Sequence, residues 1–162
     1  MQLFILDYDP EQVPAMLCDV HIRKMCLETA QILSSVIRRQ GKNLPPELPK
    51  PYNLNHPVIR ALDTTQKINW TVRFNTALQR EYHRRFGKKH AYAGLTGIYR
   101  AILFGKEQHL DPAGWSFARN FRTVEIAEPD IVLAYREYYR HKKKQIRNWH
   151  YTKTEPPGWL EP

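Results

Sequence analysis

Hydrophobic positions along the chain fall into helical rather than strand periods. The segment from Met1 to Asp9 places Leu3, Phe4, Ile5 and Leu6 in a row and predicts a short extended stretch. From about Glu11 to Gln40 the pattern is helical. At about 100° per residue, Ile22, Met25, Cys26, Thr29, Ile32, Leu33, Val36 and Ile37 share one broad face. Gly41 stops this helix, and Pro45, Pro46, Pro49 and Pro51 prevent its return, so 41–55 is read as a loop. Asn55-His56-Pro57 marks a second start, with a capping residue beside a first-turn proline. Val58, Leu62, Ile68, Val72, Leu78, Tyr82 and Phe86 give that helix its stripe, and Gly87 ends it. A shorter helix is expected over about 91–104 and an irregular stretch over 105–128. A last helix should run from Pro129 or Asp130 to about Trp149, before an extended tail over about 150–162 with Pro156, Pro157 and Gly158. The expectation is an all-α fold: one helical domain over 1–162, built on two long packed helices with a short extended amino-terminal segment.

Composition narrows the class. With 162 residues, 42% apolar and 12% aromatic, the chain has material for one core and is unlike a disordered tail. Two cysteines do not make a disulfide scaffold, no apolar run approaches a membrane span, and the first ten residues do not read as a signal peptide. A soluble, cytoplasmic protein without a membrane partner is expected. The formal charge is +9, and it is uneven: residues 51–110 hold ten basic and three acidic side chains, whereas 1–50 hold six of each. Such a bias attracts polyanions, of which nucleic acid is the commonest; a solvated basic surface is the plainer explanation.

The first long helix also carries a polar seam. His21, Lys24, Glu28, Gln31 and Ser35 fall within roughly 80° of one another. Two readings fit. One is an exposed face with a Lys24–Glu28 ion pair, worth about 0.3–0.5 kcal/mol. The other is a proton-transfer site beside a negative polymer, with Glu28 as acid or base and Lys24 and His21 holding phosphate or a sugar oxygen.

The run Leu17, Cys18, Asp19, Val20, His21, Ile22, Arg23, Lys24, Met25, Cys26, Leu27, Glu28 resembles the first helix of the pyrimidine dimer DNA glycosylase (endonuclease V) family. In that family an Asp-x-His element is followed, seven residues after the histidine, by a catalytic glutamate. A wider set of bacterial and phage proteins grouped with the family is similar over about residues 1–90. Their order of motifs is met here by Lys24, Glu28, Gln31, Ile32 and Leu33, then Asn55-His56-Pro57, then Glu81-Tyr82-His83-Arg84-Arg85.

The resemblance implies a helical protein that binds damaged DNA. It implies an amino-terminal α-amine that attacks C1′ of the lesion, an imine, and β-elimination assisted by the glutamate, here Glu28. An α-amine has a reference pKa of about 7.7–8.0, so part of it is uncharged at neutral pH. Gln2 follows Met1, so the amine would be that of methionine, with Lys24 the alternative nucleophile. Two family arginines correspond to Leu27 and Gln31 here.

Other residues join the candidate set. His56 is either catalytic, a phosphate contact or a helix cap. Arg80, Arg84, Arg85, Lys88 and Lys89 form the densest basic patch and, with Arg23, are the candidate DNA contacts. Tyr135, Tyr138 and Tyr139 with Arg136, Arg140 and Lys142 to Lys144 combine rings and cations; at least one tyrosine is expected in the core. Trp149, Tyr151 and Trp159 suit a wedge into an opened base pair or, more simply, packing of the tail. Neither H-E-x-x-H nor C-x-x-C occurs, so no metal and no cofactor is expected. The function expected is a DNA glycosylase with a possible AP-lyase step. The alternatives are a non-catalytic nucleic-acid-binding protein or an enzyme acting on a nucleotide-sized phosphorylated substrate.

Overall fold

The computed structural model describes residues 2–104, 117–121 and 124–160. The fold is all-helical, with no strand among the described residues. The helices are α1 (Val13–Met16), α2 (Asp19–Arg39), α3 (Pro57–Arg60), α4 (Thr65–Phe86), α5 (Thr96–Phe104) and α6 (Ile131–Lys143), with a 3-10 turn at Gly158–Leu160. The α2 and α4 helices form the most extensive helix pair, as the two apolar stripes require, and α5 packs onto both. Ile22, Cys26, Ile32, Leu33 and Ile37 of α2 and Phe74 and Leu78 of α4 are completely buried. Each such side chain contributes about 1.5–3 kcal/mol by leaving water.

Both long helical patterns are interrupted, and the breaks have local causes. The expected helix over 11–40 is split at Leu17 and Cys18, whose backbones are extended. The amides exposed by the break find partners from distant segments: Cys18 N–H donates to Tyr139 Oη at 2.9 Å and Asp19 N–H to the His150 carbonyl at 2.8 Å. The helix expected from His56 to Phe86 stops after one turn and restarts, because Thr64 caps α4 by accepting from Lys67 N–H at 3.4 Å. Gly87, at φ 66°, closes α4 in the left-handed region, its N–H donating to His83 O.

Three further boundaries shift. α5 begins at Thr96 rather than near 91. α6 starts where Asp130 caps it, accepting from Leu133 N–H at 2.9 Å, but ends at Lys143, six residues short of Trp149. The tail is broken by a turn at 152–154, with Lys153 at φ 58°, and again by the turn at Gly158–Leu160. Of the irregular stretch expected over 105–128, residues 105–116 and 122–123 lie outside the described residues.

The amino-terminal segment is part of the core. Leu3, Phe4, Ile5 and Leu6 are at most 4% exposed. Its backbone is held by side chains: Arg136 Nε donates to Leu6 O and Trp70 Nε1 to Tyr8 O, both at 2.9 Å. Tyr135, Tyr138 and Tyr139 are all buried, and Trp149, Tyr151 and Trp159 pack the tail against the same cluster.

Candidate active site

The buried amino-terminal segment runs to the polar seam of α2. A cavity of about 350 Å³ opens there, at the small end of the usual range for ligand sites. His21, Lys24, Met25 and Glu28 line one side. Gln2 and Phe4 come from the amino-terminal segment, Asn120 from the loop before α6, and Tyr138, Lys142, Gln145 and Ile146 from α6 and just beyond it.

Glu28 is the centre of this arrangement. Its side chain is 14% exposed, and its two oxygens meet different nitrogens. Oε2 accepts from the Gln2 backbone N–H at 3.2 Å, and Lys24 Nζ lies 3.3 Å from Oε1. The carboxylate is thus held at the cavity wall by the chain's second residue, with an amine beside it. Lys24 keeps 62% of its side chain exposed, so its ammonium reaches the cavity mouth. Lys142 stands on the α6 side, its Nζ 5.3 Å from the Tyr138 ring centre and 3.2 Å from Gln145 Oε1. Two lysines against one carboxylate favour an anionic occupant.

His21 is 7% exposed and packs among rings: Phe4 at 4.7 Å, Tyr139 at 5.2 Å and Trp149, edge-on, at 5.5 Å between centres. Its Nδ1 is 2.8 Å from Tyr139 Oη and 3.5 Å from Cys18 Sγ. Burial, reinforced by Lys24 and Lys142, lowers its pKa to about 4, so the ring is neutral at pH 7.

The remaining sequence candidates are distributed elsewhere. Met1 lies outside the described residues. His56 does not line the cavity. It is the cap of α3, its Nδ1 accepting from Val58 N–H at 3.3 Å, and it packs edge-on to Tyr52. Arg85 is 2% exposed rather than displayed to solvent. Its guanidinium donates to Glu81 Oε1 (2.7 Å), Asp19 Oδ1 (2.9 Å) and the carbonyls of Leu17, Pro14 and Ala15. Arg84 pairs with Glu81 and donates to Lys153 O, and Arg80 pairs with Glu11 at 2.9 Å. Arg23 stacks over Phe86 at 4.4 Å and, with Tyr82 and Lys88, lines a separate shallow groove of about 430 Å³. Lys88 and Lys89 are exposed.

The cavity also contains Gln2, Asn120 and Gln145, which the sequence gave no role in a site, together with Tyr138 and Lys142, which the sequence places only in a ring-and-cation run. The periodicity of one helix cannot show which residues from elsewhere close its polar face. The one usable signal was the uninterrupted apolar run after Gln2, which buries that end of the chain.

Comparison of the chain with protein-family models, with curated proteins and with solved structures finds no match.

Proposed function

We propose that the protein is a DNA glycosylase with an associated lyase step, in which an amine held beside Glu28 attacks C1′ of a damaged nucleotide. The observation that carries this reading is the meeting of a carboxylate, the chain's second backbone nitrogen and a lysine ammonium at one small cavity. The amine is that of Lys24, or the α-amine of Met1, one peptide bond before the nitrogen that Glu28 holds. Either must be uncharged to attack, and Glu28 is the adjacent group that can take its proton.

The amine nitrogen bonds to C1′, the N-glycosidic bond breaks, and the base leaves with a proton. The ring oxygen then accepts a proton as the sugar opens to an imine. Loss of a C2′ proton to Glu28 expels the 3′ phosphate by β-elimination. A cavity of 350 Å³ suits a single extruded nucleotide rather than a stacked pair.

The same dimensions and the two lysines favour a second reading, an enzyme acting on a free nucleotide-sized phosphorylated substrate.

Borohydride trapping decides. Duplexes carrying an abasic site, a pyrimidine dimer or a modified base should yield a covalent adduct, and peptide mapping should place it on Lys24 or on the amino-terminal peptide. Absence of adduct and of strand products with every duplex at low salt would overturn the first reading.

A further inference from the structure

The hydroxyl of Tyr139 fixes what His21 offers to the cavity. Tyr139 is completely buried, and its oxygen has two close polar neighbours, the Cys18 N–H at 2.9 Å and His21 Nδ1 at 2.8 Å. The amide can only donate, so one lone pair of the hydroxyl is occupied. The hydroxyl's own proton then needs an acceptor. Cys18 Sγ is a weak one, and the Tyr151 hydroxyl, which donates to Met16 O and keeps lone pairs toward Tyr139, makes no contact with it as short as that of His21 Nδ1. An unprotonated imidazole nitrogen at 2.8 Å is much the better partner. Were Nδ1 protonated, the two lone pairs of the hydroxyl would take the Cys18 N–H and the Nδ1–H, and its own buried proton would be left to these poorer acceptors, at a cost of about 1–3 kcal/mol if unpaired. The other ring nitrogen, Nε2, is neither sealed among buried atoms without a partner nor hydrogen-bonded to any described residue. It belongs to a ring that lines the cavity beside Lys24 and Glu28.

We infer that Tyr139 is a positioning residue that locks His21 as the neutral Nε2–H tautomer, so that His21 presents a hydrogen-bond donor, not a base, to the cavity occupant. The group it meets is an acceptor oxygen of the ligand: a sugar oxygen, a phosphate oxygen or a base carbonyl. Glu28 is then the cavity group that accepts protons. That division of labour rests on the cavity being the ligand site proposed above; the tautomer itself does not.

The test uses the full chain without DNA. In a long-range proton–nitrogen correlation spectrum of histidine-labelled protein at pH 7, His21 should show a protonated, pyrrole-type Nε2 and an unprotonated, pyridine-type Nδ1. Tyr139→Phe should release the ring into a mixture of both tautomers. A protonated Nδ1 in the unaltered protein overturns the inference, as does a Tyr139→Phe variant that folds and keeps the pure Nε2–H form. If Tyr139→Phe fails to fold, the spectrum of the unaltered protein still decides. No DNA chemistry enters the measurement, so failure of the glycosylase reading leaves this result standing, and the reverse.

Discussion

A histidine sealed among aromatic rings makes stability depend on pH. His21 has a folded-state pKa of about 4 against about 6.5 in an unfolded chain. Between those values the unfolded state binds the extra proton, so stability falls as pH drops from about 6.5 to 4 and is unaffected above. The loss is on the order of 3 kcal/mol. His90, also lowered by burial, adds to it in the same direction. Urea unfolding at pH 7, 5.5 and 4.5 should reveal the slope, and His21→Gln should flatten it. Asp19 and Glu81, whose pKa values are lowered, lose their contributions only below about pH 4, outside this window. The second residue-scale prediction concerns Glu28. Glu28→Gln keeps the Gln2 N–H bonded to an oxygen but removes the proton acceptor. Adduct formation and strand cleavage should fall by about 10²–10⁴-fold, with DNA affinity within threefold by titration. That Lys24 and Glu28 share a helix face was legible from their spacing of four. That Gln2 closes on the same carboxylate was not, because a contact across 26 positions leaves no trace in local periodicity.

Where α4 ends, α2 begins and the tail returns, three segments are joined by one ion cluster. Arg85 reaches from α4 to Asp19, Glu81 and the carbonyls before α2. Asp19 in turn accepts from Thr152 N–H at 3.0 Å and Thr152 Oγ1 at 2.5 Å. Removing the buried cation leaves Asp19 without its ion partner, which costs about 3–5 kcal/mol. Arg85→Ala should therefore lower Tm by about 10 °C in calorimetry. Limited proteolysis should then cut first near Thr152, as the tail loses its anchor. The sequence displayed Arg80 to Lys89 as one basic patch and gave Arg85 to DNA. Its position seven residues after the buried Leu78 was the missed clue, since that spacing returns to the same side of a helix within about 20°. The break after Met16 was hidden for a different reason. The groups that satisfy the freed amides of Cys18 and Asp19 lie at Tyr139 and His150, far along the chain.

Across the whole molecule, the count of 25 lysines and arginines overstates the cations free to meet phosphate. Arg85 is internal, and Arg73, Arg80, Arg84 and Arg136 are paired with acidic residues. Arg23 and Lys88 flank an aromatic groove, and Lys24 and Lys142 flank the cavity. Under the DNA-binding proposal, affinity should fall linearly on a log–log plot against salt, with a slope of about −0.9 per phosphate contacted. Lys88→Ala should make that slope shallower by about one unit, while Arg80→Ala, whose partner is Glu11, should leave it nearly unchanged. Fluorescence anisotropy between 50 and 200 mM salt would measure both, the range being about that over which such contacts lose most of their strength. Here the helical class was readable from apolar spacing. The distribution of free charge was not, because counting residues does not reveal which arginines have internal partners.

The burial of residues 3–6 has a practical corollary. Anything covalently attached ahead of Gln2 is leashed to the nitrogen that Glu28 grips at the pocket wall. An affinity tag fused at that end would act as a tethered plug, competing with whatever the pocket admits.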